Sequence, residues 1–114
     1  MATTAVAKKL LHIHETAGVK DREVAQLLDT TPETVSRWKS GRVEPQRDKL
    51  DRLLELEWLV DQLAELYPQA DDARLWLFSR HKLLQGDTPA NRIQKGQLND
   101  VLELIAQVKD GAYI

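Results

Sequence analysis

Apolar residues recur along this chain at intervals of three and four, which is the period of an amphipathic helix, and no segment alternates as a strand would. Because glycine and proline interrupt this period, the pattern divides into separate helices. It predicts an all-α protein with helices at about 4–16, a pair within 21–40, a long helix at about 47–67, and shorter helices at about 71–78, 88–96 and 97–110.

The first and last predicted helices each carry one apolar stripe. Gly18 and Gly111 follow them, where a residue with positive φ ends a helix. Both stripes are expected to face a shared core. Their members are Val6, Leu10, Leu11 and Ile13 in the first helix, and Leu98, Val101, Leu102, Ile105 and Val108 in the last.

The helix pair has clear start and stop signals. Thr31 is placed to cap the second helix, and Pro32 occupies its first turn, where a missing N–H costs nothing. Val35 and Trp38 lie three apart and are predicted to face inward. Gly41 is predicted to end the helix with a positive φ. Two short helices joined by a tight turn are the physical layout of a helix-turn-helix DNA reader.

The outward face of the second helix is polar and partly basic. Thr34, Ser36 and Arg37 are the candidates for contacts with base edges, since a guanidinium can grip guanine with two hydrogen bonds. Lys39 and Arg42 are better placed for phosphates, which add affinity but little sequence information. The alternative is a helix that is merely solvated.

This segment resembles the Xre/Cro type of phage-repressor helix-turn-helix. The likeness lies in the run Thr34-Val35-Ser36-Arg37-Trp38 followed by Ser40-Gly41. The turn position that is usually glycine is Asp29 here. Aspartate tolerates the left-handed conformation better than most residues, so the turn is expected to form.

Composition favours a single small protein of the cytoplasm. The 114 residues suffice for one domain or two small lobes that share a core. There is no cysteine, and no apolar run approaches the roughly 20 residues that cross a bilayer. Lys8 and Lys9 follow the first apolar residues, the wrong order for a secretory signal. Residues 1–47 carry eight basic and six acidic residues, net +2, whereas the remainder has eight and twelve, net −4, which suggests two roles.

The long helix is apolar on more than one face. One face is expected to cover the helix pair, and the other must be buried in the carboxyl half or in a second subunit. A dimer is favoured because repressor DNA-binding domains of this type bind paired half-sites. Trp58 and Trp76 are expected in the core, with a role as interface anchors as the alternative.

The carboxyl half resembles the toxin-binding domain of the Xre/MbcA/ParS-like antitoxins. The likeness rests on the order and spacing of Ala73, Trp76-Leu77, Leu83, Gly86, Thr88-Pro89, Gly96 and Gly111. Members of that family join a helix-turn-helix to this domain, so the resemblance implies a DNA-binding domain at 1–46 and a toxin-binding and dimerisation domain at 47–114.

The resemblance implies an antitoxin whose partner is a RES-domain toxin that consumes NAD⁺, or a related toxin that transfers ADP-ribose. In that family the carboxyl end of the antitoxin blocks the entrance to the toxin's active site. The matching residues here are Gly111, Ala112, Tyr113 and Ile114; the alternative is an ordinary frayed terminus. Arg80 and Lys82, with His81 between them, are weaker candidates for a second toxin contact.

Nothing in the sequence predicts an enzyme, a metal or a cofactor. His12 and His14 are two apart and point to different sides of a helix, His81 is isolated, and no phosphate-binding loop or nucleophile elbow is present. Two other interpretations stay open: a stand-alone dimeric Xre-type repressor without a toxin, and an antitoxin whose helix-turn-helix serves only in assembly.

Overall fold

The computed structural model describes residues 4–111, and within that range it is all-helical. A single 3-10 turn, Lys82–Leu84, lies between the helices Ala70–Leu77 and Pro89–Gln94. No helix in this range is both long and apolar enough to span a membrane. The helices are α1 Ala5–Ala17, α2 Asp21–Leu27, α3 Pro32–Ser40, α4 Arg47–Leu66, α5 Ala70–Leu77, α6 Pro89–Gln94 and α7 Leu98–Lys109.

Helix α1 is held at both ends. The Thr4 hydroxyl accepts a hydrogen bond from the Ala7 N–H (3.0 Å) and donates to the Lys39 carbonyl at the end of α3 (3.0 Å). Gly18 ends the helix at φ +68°, as predicted. A Cβ at Gly18 would only reach ordinary contact with Arg74 (3.4 Å), so the positive φ, and not lack of space, favours glycine here.

One continuous core joins the two halves of the chain, because α1 packs against both α4 and α5. Val6, Leu10 and Ile13 are buried as predicted. The prediction for Leu11 was wrong, since its side chain is 56% exposed. It lies on the side of α1 that faces away from α4 and α5. The domain boundary at residues 46–47 stays a prediction.

Helix α4 buries one face and exposes another. The buried side chains are Leu53, Leu56, Leu59, Val60 and Leu63. Trp38 and Trp76 are in the core as expected, but the core assignment of Trp58 was wrong, since it is 54% exposed. Leu54, one turn earlier, is 41% exposed. No helix among residues 4–111 covers this face.

The final helix packs much as its pattern predicts. Leu98, Val101 and Ile105 are buried, whereas Leu102 and Val108 are only partly buried against the core. The core position that the pattern missed is Leu104, which is 4% exposed. The buried face of α7 is therefore rotated slightly relative to the predicted apolar stripe.

Arg52 ties the helix pair to the carboxyl half. Its guanidinium donates to the carbonyls of Ile93 (2.8 Å) and Gln94 (3.0 Å) at the end of α6. It also reaches the carbonyls of Leu27 and Leu28 at the end of α2, both at 3.3 Å. The Ile93 carbonyl also accepts from the Gly96 N–H (3.0 Å) and the Leu28 carbonyl from Lys49 Nζ (2.8 Å), so Arg52 adds to the hydrogen bonds that satisfy two helix ends.

A second link joins α2 to α5. Arg74 binds both carboxylate oxygens of Glu23, at 2.5 and 2.7 Å, and also donates to the Gly18 carbonyl at 3.1 Å. The hydrogen bond from Arg74 lowers the pKa of Glu23 from its usual value of about 4.5. The Glu23 side chain is only 15% exposed, so solvent screens this pair less than a surface pair.

We expect this pair to make stability depend on pH. Because the folded protein lowers the pKa of Glu23, its contribution is complete above pH 4.5 and is lost as the pH falls below that value. Glu23→Gln should cost about 1–2 kcal/mol at neutral pH and progressively less in acid. The glutamine can still accept the hydrogen bond from the Lys20 N–H that Glu23 accepts at 3.0 Å. Urea unfolding from pH 7 to pH 3 measures this dependence.

The matched control is Glu15→Gln, because Glu15 is an exposed acid on α1. Equal losses of stability for Glu23→Gln at pH 7 and pH 3 would contradict an ionic contribution from the pair.

Candidate nucleic-acid and partner interfaces

The local signals of the helix pair are confirmed. Thr31 caps α3 by accepting a hydrogen bond from the Thr34 N–H at 3.2 Å, and Pro32 is the first residue of the helix. Asp29 takes the left-handed conformation at φ +56°, and Gly41 ends α3 at φ +79°. Val35 and Trp38 are buried, so the opposite face of α3 is fixed toward solvent.

Two of the three residues expected to contact base edges lie on the outward side of α3, whereas the third, Thr34, does not. Ser36 and Arg37 are exposed, and neither side chain has a hydrogen-bond partner within residues 4–111. Thr34 is half-buried, and its hydroxyl lies 2.8 Å from that of Thr31. Ser36 and Arg37 are therefore more available for recognition than Thr34.

The two residues expected to contact phosphates differ in their surroundings. Arg42 is exposed just beyond α3. Lys39 donates to the Asp21 carboxylate at 2.9 Å, a contact the sequence pattern did not indicate. Both members of this pair are about half exposed, so solvent screens their attraction. Lys39 can therefore leave Asp21 and bind a DNA phosphate at little cost in free energy.

A groove of about 560 Å³ adjoins the start of α3. Arg22 and Gln26 of α2 line it together with Asp29, Thr30, Pro32 and Gln94. Sequence reasoning did not select Arg22 or Gln26. The sequence feature that could have identified them is their separation of four residues, which places both on one face of α2 beside the turn.

The candidate toxin contacts Arg80 and Lys82 are exposed on the loop between α5 and α6. His81 separates them and holds the loop to α5. Its Nε2 is 2.9 Å from the Trp76 carbonyl, and the two rings pack with centroids 4.8 Å apart. The His81 N–H also donates to the Asp87 carbonyl at 3.0 Å. Arg80 and Lys82 are therefore presented on a closed and supported loop.

Asp87 organises the end of this loop. Its carboxylate accepts from the Asn91 amide (2.8 Å), the Thr88 N–H (2.8 Å) and the Arg92 Nε (2.9 Å). The hydrogen bond from Asn91 is the main reason that the pKa of Asp87 lies below its usual range. Arg92 continues the network to Asp100 at 2.9 Å. The sequence indicated only the Thr88 cap, which the structure confirms.

The predicted carboxyl-terminal segment lies mostly outside the described residues. Gly111 has φ +75°, as expected for the end of a helix, whereas Ala112, Tyr113 and Ile114 are beyond the described range. Just before it, Lys109 donates to the Gln62 side chain at 2.6 Å and also binds Glu65. The end of α7 is thus fixed to the last turns of α4.

Two of the histidines have different surroundings. His12 Nε2 lies 2.6 Å from the Asp61 carboxylate, whereas His14 is exposed. Residues 4–111 contain no cluster of three His, Asp or Glu side chains that could hold a metal ion.

Comparison with known proteins gives a full-length match. No family model matches the chain. The mycobacterial cidal antitoxin MbcA of Mycobacterium tuberculosis H37Rv is 35% identical over 114 residues and all of both chains, and so is MbcA of Mycobacterium bovis. The crystal structure of the M. tuberculosis MbcT–MbcA toxin–antitoxin complex contains a chain that is 34% identical. The match covers 97% of this chain and 99% of that one, with a TM-score of 0.81. This chain therefore belongs to the Xre/MbcA/ParS-like family of antitoxins.

Proposed function

We propose that this antitoxin neutralises a RES-domain toxin that degrades NAD⁺, by blocking the entrance of the toxin's active site with residues 111–114. The observation that carries the proposal is the full-length likeness to MbcA, which has been crystallised with a toxin. A toxin that transfers ADP-ribose would use the same cofactor and could be blocked in the same way.

The chemistry of the last four residues supports this role. Gly111 allows a turn at the end of α7, and Tyr113 supplies an aromatic side chain that can fill a pocket. The terminal carboxylate can meet the basic groups that otherwise hold the pyrophosphate of NAD⁺. Arg80 and Lys82 would add a second contact from the loop between α5 and α6.

We further propose that the chain binds operator DNA in the cytoplasm and represses its own transcription. Support comes from the exposed side of α3, where Ser36 and Arg37 face solvent, and from Arg42 beside it. One such helix reads one half-site, so two copies are needed for a paired operator. A homodimer within the toxin–antitoxin complex meets this need.

Co-expression with a RES-domain toxin from the same organism tests the central proposal. The toxin alone should deplete cellular NAD⁺, and co-expression of this chain should restore it, with both proteins eluting as one complex in size-exclusion chromatography. Depletion of NAD⁺ that persists despite equal expression of both proteins would reject it. Operator binding without any toxin partner would instead favour a stand-alone dimeric repressor.

A further inference from the structure

The outward side of α4 carries a tryptophan and a leucine that stay about half exposed among the described residues. Trp58 is 54% exposed and Leu54 is 41% exposed. They lie four residues apart and therefore form one patch on the helix. We call the surface formed by Asp51, Leu54, Glu55, Trp58 and Gln62 the Trp58 face. Exposed tryptophans of this kind are typical interface anchors.

This face continues directly to the end of α7. Gln62, one turn beyond Trp58, accepts the 2.6 Å hydrogen bond from Lys109, and Glu65 binds the same ammonium group. Four residues of helix rise about 6 Å, so Trp58 lies one turn from Gln62, to which Lys109 near the end of α7 is bound. A protein that received residues 112–114 would stand beside the Trp58 face.

The rim of the face is acidic. Asp51 and Glu55 are exposed and form no ion pair within residues 4–111. Lys49 and Arg52 point elsewhere, because Lys49 donates to the Leu28 carbonyl (2.8 Å) and Arg52 to the ends of α2 and α6. Arg47 is exposed four residues before Asp51, on the same side of the helix. The surface therefore combines an apolar centre with a net negative charge, because Arg47 can offset only one of the two acids.

We propose that the Trp58 face is a second docking surface for the toxin, fitted to an apolar pocket with a basic rim beside the active-site entrance. The inference rests on the proposed function. An enzyme that binds NAD⁺ must offer positive charge to the pyrophosphate, and an acidic surface next to the blocking segment complements it. The blocking segment closes the entrance, and the Trp58 face holds the toxin in place.

Charge argues against a second copy of this chain as the occupant. If two α4 helices pair in antiparallel fashion about Trp58, Glu55 of each copy lies opposite Asp61 of the other, and Asp51 lies opposite Glu65, whose carboxylate Lys109 already binds. A parallel pairing places each acid opposite itself. Both arrangements bring like charges together, whereas a basic partner neutralises them.

The test measures binding of the purified chain to the RES-domain toxin of the co-expression experiment, inactivated by mutation. Trp58→Ala should weaken the affinity about 30-fold or more, mainly through faster dissociation. Leu11→Ala is the matched control, because Leu11 is equally exposed (56%) on the far side of α1. It should leave the affinity unchanged.

A second variant tests the charge. Glu55→Lys should slow association severalfold at about 0.05 M salt, with a smaller effect at about 0.5 M. Thermal unfolding of each variant verifies that the fold is retained. For these exposed positions the unfolding temperature should match that of the parent chain.

Four outcomes are separable. Loss of affinity in Trp58→Ala but not in Leu11→Ala supports the inference. Unchanged affinity of Trp58→Ala for a toxin that the parent chain neutralises overturns the inference. A Trp58→Ala variant whose only change is the mass of the free antitoxin in light scattering also overturns it, because the Trp58 face would then bind a second copy of the chain. A parent chain that neither binds nor neutralises the toxin rejects the proposed function and this surface with it.

Discussion

Deletion of residues 111–114 is expected to restore most of the activity of a bound toxin. These residues are proposed to occupy the entrance that NAD⁺ must use, and an aromatic anchor with a charged partner contributes roughly 2–4 kcal/mol to an interface. Inhibition should weaken on the order of 100-fold. The measurement is the rate of NAD⁺ consumption by purified toxin as truncated or parent antitoxin is titrated into it.

The fold should survive this deletion. Lys109 and its contact with Gln62 stay in place, and the buried side chains of α7 are untouched. Circular dichroism and thermal unfolding check this point. Tyr113→Ala and Tyr113→Phe separate the ring from its hydroxyl, and the phenylalanine variant should inhibit nearly as well as the parent. A truncated chain that inhibits as strongly as the parent would exclude the blocking mechanism.

Arg37→Ala is expected to reduce operator binding by roughly 5- to 150-fold, the range of 1–3 kcal/mol for a bidentate contact with guanine. The same change should relax sequence preference at one position of each half-site. Arg37 is exposed and its side chain has no hydrogen-bond partner within residues 4–111, so stability should change little. Gel-shift titrations at one fixed salt concentration measure the effect.

Arg42→Ala is the matched control for this experiment. If Arg42 contacts a phosphate, its loss should weaken binding to operator DNA and to random DNA equally. It should also reduce the slope of log affinity against log salt concentration by about one. If Arg37→Ala leaves the ratio of operator to random affinity unchanged, Arg37 does not read bases. If the parent chain shows no preference for its own upstream region, the autorepression proposal fails.

Local structure was predictable because its causes are local. Thr31 with Pro32 started α3 and Gly41 ended it, since a cap, a fixed φ and a positive φ each act within one turn. Asp29 took the left-handed turn position for the same reason. Ser36 and Arg37 face solvent, as predicted, because Val35 and Trp38 on the other side of α3 are buried in the core.

Two apolar residues were misplaced because periodicity does not show which face of a helix finds a partner. Leu11 lies within the pattern of α1, but α4 and α5 approach that helix from the other side. Trp58 lies on α4 in the same way, outside the stripe that meets the shared core. These errors are informative, since the misplaced Trp58 marks the surface proposed to hold the toxin.

By itself, the sequence determined the helical elements, their ends, the polar side of α3 and the family, because each depends on short-range geometry or on ordered motifs. Only the tertiary structure decided which polar groups meet. Arg52 with the ends of α2 and α6, Glu23 with Arg74, and Lys109 with Gln62 join residues more than 20 positions apart. Such pairs depend on how whole helices pack, and no local pattern encodes the distance between two side chains on different helices.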